Sequence, residues 1–211
     1  MKEPLSLKLI QSASDLKAMP NIDFDENNHI YRKSNIRLPS VTQLMKVLSD
    51  DLYDNIDPAV LEKAAKRGTA VHEACEMFDK FNFVGIDENE REYFNAYLNF
   101  KKEHKVKSIA NEIKVFHKQL LYAGTIDVIA EIDGKITLAD IKTTAVLHSK
   151  LVAVQLGAYL MALKSHGLNV EQCAVVQLKS SGEYLYKIIE PDFDTFKACI
   201  QIQAFKNRKG E

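Results

Sequence analysis

Cysteine is scarce in this chain of 211 residues, and its three cysteines lie far apart, at Cys75, Cys173 and Cys199. They form no Cys-x-x-Cys pair, which excludes a zinc ribbon or a four-cysteine iron–sulfur cluster held by one chain. A sparse and odd number of cysteines is also typical of a reducing compartment rather than of a disulfide-linked scaffold. We therefore expect no iron–sulfur cluster and no disulfide framework.

Long apolar runs are missing as well. No run approaches the ~18–20 apolar residues that are needed to span a membrane, and residues 1–11 lack the clean apolar core of a signal peptide. We expect a soluble, cytoplasmic protein with no membrane partner. The eight Gly and five Pro are too few for a long linker, so we expect one compact domain over residues 1–211.

An excess of charge of one sign is also lacking, since 28 Lys and Arg residues oppose 29 Asp and Glu residues. The net charge of −1 excludes indiscriminate binding of polyanions in the manner of a histone, because that needs a marked basic excess. Hydrophobic residues at 46% and charged residues at 27% are ordinary for a globular protein and exclude wholesale disorder.

The spacing of apolar residues predicts an order of helices and strands. Residues 22–38 predict a small N-terminal hairpin that turns at Lys33-Ser34-Asn35, and we expect Ser40 or Thr42 to cap a short helix. Asp57-Pro58 is typical of a helix start. The further predicted elements are helices over residues 58–81 and 88–104, strands over 109–117, 121–132 and 136–143, a helix over 150–166, strands over 172–179 and 183–190, and a helix over 191–207. This order predicts an α/β (α+β) fold around one mixed sheet.

The segment AGTIDVIAEIDGKITLADIKTT, residues 123–144, carries charged residues within apolar strands. Asp133-Gly134 predicts a tight hairpin turn, which makes the two flanking strands antiparallel neighbours and puts Asp127 roughly opposite Asp140. Asp140 and Lys142 are two residues apart, so their side chains share one face of the sheet. Alternation also predicts one shared face for a set of residues of the first strand, namely Ile126, Val128, Ala130 and Ile132.

These charges point to metal chemistry. Carboxylates within apolar strands are costly unless they are paired or bound to a metal, and two close carboxylates favour a divalent cation between them. Oxygen ligands suit Mg²⁺ or Mn²⁺, and Lys142 can hold or deprotonate an attacking water. The pattern therefore predicts metal-assisted phosphodiester hydrolysis. The alternative is a cross-strand salt bridge between Asp127 and Lys142 on an exposed face.

Other residues stand around this segment in a defined order. They are Pro39-Ser40-Val41-Thr42, Gly68-Thr69-Ala70-Val71-His72, Glu112, and Gln155 with Tyr159 four residues later. Together with Asp127 and Asp140-Ile141-Lys142, this series resembles the PD-(D/E)XK nuclease superfamily, in its RecB-like or phage-type exonuclease branch. The resemblance covers residues 28–190. It implies a restriction-endonuclease-like core over residues 109–190, with a central mixed sheet flanked by helices.

The resemblance also implies a role for each of these residues. The implied ligands of Mg²⁺ or Mn²⁺ are His72, Glu112, Asp127, Asp140 and the backbone carbonyl of Ile141. The implied catalytic residues are Asp127, Asp140, Lys142, Gln155 and Tyr159. Lys142 would position the water and stabilise charge on the phosphate, while Gln155 and Tyr159 would shape the site and contact the DNA backbone.

Basic residues are unevenly spread, which allows local contact with DNA despite the balanced charge. Lys66 and Arg67 precede His72 on one predicted helix, and we expect both to bind DNA along its phosphate backbone. The alternative is that they only solvate the surface of the helix.

Simpler interpretations of the outer residues stay open. His72 lies on an apolar helix face and is also compatible with a hydrogen-bonded core histidine. Glu112 is compatible with a solvated carboxylate, and Gln155 and Tyr159 with packing against the sheet. The run His72-Glu73-Ala74-Cys75-Glu76 matches only half of the zinc-protease pattern HExxH, because a glutamate replaces the second histidine.

The expected function is that of a Mg²⁺- or Mn²⁺-dependent DNA exonuclease, which acts on linear ends or single strands in recombination or repair. The resemblance implies a protein of a bacterium or a phage-infected host cell, with DNA and a single-strand-annealing or recombination protein as partners. Two alternatives stay open: a DNA-binding module of the same fold that does not cut, and a structure-selective endonuclease.

Overall fold

The computed structural model describes residues 7–17, 19–26, 28–49, 52 and 56–208, so residues 1–6 of the segment considered as a signal peptide lie outside the described part. The helices are α1 (Ala13–Lys17), α2 (Val41–Met45), α3 (Pro58–Phe81), α4 (Arg91–Glu103), α5 (Ser149–Ser165) and α6 (Phe193–Arg208), and a 3₁₀ turn covers Lys46–Leu48. The strands are β1 (Lys8–Leu9), β2 (Asp23–Asp25), β3 (Ile30–Lys33), β4 (Ile36–Leu38), β5 (Lys107–Phe116), β6 (Ala123–Ile132), β7 (Lys135–Lys142), β8 (Leu168–Asn169), β9 (Gln172–Leu178) and β10 (Tyr184–Ile188). Within these described ranges, no helix combines the length and the apolar character needed to cross a membrane.

The centre of the fold is a five-stranded mixed sheet in the order β10-β9-β7-β6-β5. Neighbouring strands are antiparallel except β7 and β9, which are parallel and have α5 between them in the chain. Helices α2, α5 and α6 cover one face, and α3 and α4 cover the other. Adjacent residues of β7 alternate accordingly, with Leu138 on the α5 side and Ala139 on the α3 side. The predicted mixed sheet flanked by helices is confirmed.

One detail of the predicted alternation is wrong. Ile126 does not share a face with Val128, because Ile126 packs on the α5 side and Val128 on the side of α3 and α4. The pairing of β5 with β6 runs from Asn111–Val128 to Ile113–Ile126 and passes Glu112, whose backbone is left-handed with φ 51°. A left-handed residue interrupts the pleat of a strand, so the alternation of side chains slips at this point.

A small antiparallel sheet of β2, β3 and β4 precedes α2. The predicted hairpin is its β3–β4 part, which turns through Ser34 and Asn35 in left-handed backbone (φ 49° and 66°), and β2 adds a third strand. Ser40 caps α2 in a capping box, as one of the two expected caps. The backbone N–H of Ala123 donates to the carbonyl of Pro39 at 3.0 Å, which joins the N-terminal sheet to the start of β6.

Candidate functional site

The β6–β7 hairpin opens into a fork at its end away from the turn. Its last paired residues are Val128 and Ala139, and Asp127 and Asp140 come next on the two strands. There the backbone N–H of Ile141 donates to Oδ2 of Asp127 at 2.7 Å, so a side chain replaces the usual backbone acceptor of the ladder. The register thus puts Asp127 beside Asp140, as the Asp-Gly turn predicts.

Three side chains from three elements converge at this fork: His72 of α3, Glu112 of β5 and Asp127 of β6. One candidate ligand atom of each lies within 4.8 Å of the others. Nδ1 of His72 is 3.5 Å from Oε1 of Glu112 and 3.7 Å from Oδ1 of Asp127. An imidazole nitrogen beside two carboxylates is a donor set that suits a divalent cation.

The imidazole of His72 is oriented by the backbone of β7. The carbonyl oxygen of Ile141 lies 3.0 Å from Nε2 of His72. Because a carbonyl only accepts, Nε2 carries a hydrogen in this contact and Nδ1 is the nitrogen that meets the carboxylates. Burial lowers the pKa of His72, but Asp127 and Glu112 outweigh it and raise this pKa to about 9. A protonated His72 therefore balances the two carboxylates when no cation is bound.

The third member, Glu112, is held in a strained conformation. Its φ of 51° lies in the left-handed region in the middle of β5. A residue other than glycine is strained there by about 1–3 kcal/mol, and such strain clusters at functional sites. The regular pairs Asn111–Val128 and Ile113–Ile126 on either side keep the strained residue in place.

A line of hydrogen bonds connects Asp140 on β7 with α5. Nζ of Lys142 donates to Oδ1 of Asp140 at 2.9 Å and to Oε1 of Gln155 at 3.2 Å. Nε2 of Gln155 donates to the hydroxyl of Tyr159 at 3.2 Å. Four of the five residues predicted to be catalytic are therefore linked directly, and the fifth, Asp127, lies at the fork beside Asp140.

Asp140 is not one of the three converging side chains, but it suits a metal for another reason. Only 1% of its side chain is exposed, and this burial raises the pKa of its carboxyl group to about 6 although Lys142 lowers it. Its Oδ2 is 2.9 Å from Nζ of Lys142 without hydrogen-bond geometry, and within the described residues it has no hydrogen-bond partner. A buried, under-partnered oxygen is typical of an incomplete ligand set. The predicted ligands thus fit a divalent cation.

Tyr159 is both a packing residue and a partner of the site. It is buried, and this burial raises the pKa of its hydroxyl well above the usual range. A Cβ at Gly124 would lie 2.7 Å from Cε1 of Tyr159 and 3.2 Å from Cγ2 of Val41. Gly124 therefore permits the close approach of Tyr159 to β6 that lets its hydroxyl reach Gln155.

The two basic residues expected to bind DNA have different surroundings. Lys66 is exposed and forms an ion pair of 2.7 Å with Glu62, one turn earlier on α3. Arg67 donates through Nη2 to the carbonyl of Thr143 at 3.1 Å, and its guanidinium lies 5.1 Å from the ring centre of Tyr93. Arg67 thus ties α3 to the residue that follows Lys142, which is a structural contact that sequence reasoning missed.

The N-terminal sheet also contributes to the site, and this too was missed. The hydroxyl of Tyr31 is 2.8 Å from Oγ1 of Thr125. His29 and Tyr31 line, together with Asp127, a cavity of about 170 Å³. Each hairpin residue shows only local patterning in the sequence, so nothing there indicates that the hairpin lies over β6.

Comparison with known proteins gives little further information about this site. The chain matches no family model and no curated protein. Among solved structures, it is similar to an alkaline exonuclease (LHK-Exo) from Laribacter hongkongensis, with 13% sequence identity and a TM-score of 0.34. The similarity covers 82% of this chain and 92% of that chain.

Proposed function

We propose that this chain is a divalent-metal-dependent deoxyribonuclease that hydrolyses phosphodiester bonds. The observation that carries the proposal is the fork, where Asp127 and Asp140 end their shared ladder beside His72 and Glu112. The fork supplies carboxylates and an imidazole, and Lys142, bonded to Asp140, supplies an ammonium group beside it. These are the groups that metal-assisted phosphoryl hydrolysis requires.

The proposed metal ligands are the side chains at the fork and one backbone group. They are His72, Glu112, Asp127, Asp140 and the carbonyl oxygen of Ile141. Bound there, Mg²⁺ or Mn²⁺ would polarise the phosphate and favour ionisation of water near neutral pH. The preponderance of oxygen donors supports these two ions over softer metals.

The residues of the chain itself supply the remaining functions. Lys142, held between Asp140 and Gln155, offers a fixed positive charge that can stabilise the phosphate oxygens as negative charge develops. Asp140 accepts a hydrogen bond from this lysine at 2.9 Å and so helps to fix its position. Gln155 is oriented from both ends, by Lys142 and by Tyr159, and is a positioning residue for the ammonium group.

The finer proposal is an exonuclease that acts on linear DNA. The N-terminal sheet lies over the fork, through the contact of Tyr31 with Thr125 and the bridge between Ser40 and Ala123. The presence of His29 and Tyr31 over one side of the cavity beside Asp127 favours approach by a strand end over approach by an uninterrupted duplex. A role in recombination or repair, with a single-strand-annealing or recombination partner, rests on the resemblance of the motifs alone.

The decisive assay uses the purified protein with Mn²⁺ or Mg²⁺ on end-labelled linear single strands, linear duplex and closed circular DNA. We expect degradation of linear DNA only, and its complete loss in EDTA. Cutting of closed circles would support the structure-selective endonuclease instead. Binding of DNA without any cutting would support the non-cleaving module, and activity that persists in EDTA would remove the metal from the mechanism.

A binding measurement tests the metal centre without relying on activity. Mn²⁺ at a hundredfold excess over its dissociation constant should raise the free energy of unfolding by about 2.7 kcal/mol. Asp127→Asn should weaken this stabilisation, because it removes a charged ligand. Equal stabilisation of the parent and of Asp127→Asn by Mn²⁺ would contradict the assignment of Asp127.

A further inference from the structure

A cavity of about 180 Å³ opens beside Lys142 and Gln155, next to the proposed catalytic line. It is formed by α2, the segment that follows β7 and the first turn of α5. It is distinct from the space around Asp127, which is lined by His72, Glu112 and residues of the N-terminal sheet.

The walls of this cavity combine apolar and polar side chains. The apolar side chains are Met45, Val146, Leu147, Leu151 and Val152. The polar residues include Thr42, Thr144 and His148, together with Lys142 and Gln155. A lining of mixed apolar and polar side chains suits a flat ring that carries hydrogen-bonding atoms on its rim.

The charge of the cavity distinguishes it from the neighbouring cleft. Among the described residues that line the cavity, none is acidic. The cleft between the N-terminal sheet and α3, by contrast, is lined by Glu26, Glu73, Glu76 and Glu112. Because a nucleotide carries a negative phosphate, the cavity beside Lys142, whose described lining has no carboxylate, is the favourable side for it.

The cavity has a volume of about 180 Å³, which is enough space for one planar ring system. Val146 is 63% exposed although it is apolar, so an apolar surface stands at the mouth of the cavity.

We infer that this cavity receives one unpaired base of the substrate, on the nucleotide whose phosphate lies at Lys142. The inference rests on the proposed nuclease function and deepens it, because it names a single-stranded nucleotide at the cut. The base is buried against Met45 and Leu151, and its polar edge meets Thr144 and His148. The rest of the DNA strand then leads away from the acidic cleft between the N-terminal sheet and α3.

The first test observes binding directly, without catalysis. Protein labelled with ¹³C at the methyl groups of Met, Val and Leu is titrated with thymidine 5′-monophosphate and, separately, with 2-deoxyribose 5-phosphate, which lacks the base. We expect saturable shifts of the Met45, Val146 and Leu151 methyl signals with the nucleotide only, and none for Leu185 on β10. Absence of these shifts, or equal shifts with the sugar phosphate, overturns the inference.

The second test uses a variant and a matched control. The parent should cut a linear single strand about tenfold faster when the nucleotide at the cut carries a base than when it is abasic, as expected for burial of one base. Val146→Asp should remove this preference. Ile188→Asp, at an apolar residue of β10 that is 51% exposed, should keep it. An undiminished preference in Val146→Asp overturns the inference.

The two tests separate the inference from the function on which it rests. Methyl shifts with the nucleotide and no cutting of any DNA support the cavity as a base site and count against the nuclease. Cutting of linear DNA without methyl shifts supports the nuclease and overturns the assignment of the cavity as a base site. Equal rates on base-bearing and abasic strands in the parent also overturn the inference while the nuclease stands.

Discussion

Asp79 and Asp140 are both buried carboxylates with 1% of the side chain exposed, yet their surroundings differ. Asp79 on α3 accepts from a set of polar side chains, namely Tyr97 (2.7 Å), Ser108 (2.6 Å), Asn111 (2.8 Å) and Lys101. Asp140 is bonded by Lys142 and leaves Oδ2 without a hydrogen bond to the described residues. A satisfied buried charge stabilises a fold, whereas an under-partnered one retains capacity for a ligand.

The Asp79 network also aligns the site. Asp79 stands seven residues after His72, so both lie on one face of α3. Its partners Ser108 and Asn111 belong to β5, and Asn111 directly precedes Glu112. The network therefore fixes α3 against β5, and with it the distance between His72 and Glu112.

The largest effect is expected from Asp140→Asn. The amide keeps an oxygen for Lys142 but removes the charge proposed to hold the metal, so DNA cleavage should fall at least ~10³-fold. The free energy of unfolding, measured in urea, should stay equal or rise by about 1 kcal/mol, because a buried charge is removed. A loss of stability in this variant would mean that Asp140 stabilises the fold as Asp79 does, and would contradict the proposed difference between the two carboxylates.

Asp79→Ala, unlike Asp140→Asn, should mainly lower the free energy of unfolding. It removes the carboxylate partner of the lysine and of three further donors in the interior, and we expect a loss of about 3 kcal/mol in urea unfolding. The matched control is Asp194→Ala, since Asp194 is exposed and pairs with Lys197 at 3.0 Å; its effect should stay within about 0.5 kcal/mol. Equal effects of the two variants would refute a structural role for the network.

Gly124→Ala tests how closely the line of hydrogen bonds from Asp140 to Tyr159 depends on packing. The added Cβ meets the ring of Tyr159, so we expect a loss of about 2 kcal/mol in stability. Displacement of Tyr159 also releases Gln155, and kcat should fall about tenfold. Gly85→Ala is the control, because a Cβ there has no neighbour within 4 Å. An unchanged kcat in Gly124→Ala would mean that Tyr159 does not position Gln155.

The smallest effect concerns an ordinary carboxylate, Asp192, which precedes α6. Hydrogen bonds from the Oγ1 (2.6 Å) and the backbone N–H (2.9 Å) of Thr195 lower the pKa of Asp192 below its ordinary value of 3.8. Asp192→Ala should lose about 1 kcal/mol at neutral pH. The contribution is present above pH 3.8 and is lost as pH falls through the lowered pKa, so parent and variant should converge in acid. A gap in stability that is constant with pH would contradict this origin.

Local patterns in the sequence predicted the part of the site that depends on neighbours in the chain. The Asp133-Gly134 turn fixes the register of β6 and β7, and this register brings Asp127 next to Asp140. Ser40 and Asp57 are also predictable from the sequence, because each caps its helix through a hydrogen bond to a residue two or three positions later.

Non-local packing produced what the sequence could not predict. The partners of Asp79 lie 18 to 32 residues away, so no spacing rule connects them. Strands β1 and β8, which pair in parallel, are also far apart in the chain. Each has only two residues, which is too short for a periodic pattern of apolar residues. Ile126 and Val128 lie on different faces of the sheet beside the left-handed Glu112 of the neighbouring strand, and the local alternation of β6 does not predict this.

The left-handed backbone of Glu112 also distinguishes two kinds of selection. Glycine adopts this conformation without a Cβ penalty, so a sequence chosen for folding alone would carry glycine at position 112. A glutamate there gives up stability and points a carboxylate at His72. Left-handed backbone also occurs at Lys105 and Leu121, outside the fork, so the dihedral angle alone is not a mark of chemistry. At position 112 the proposed binding of a cation by the carboxylate would compensate for the loss of stability.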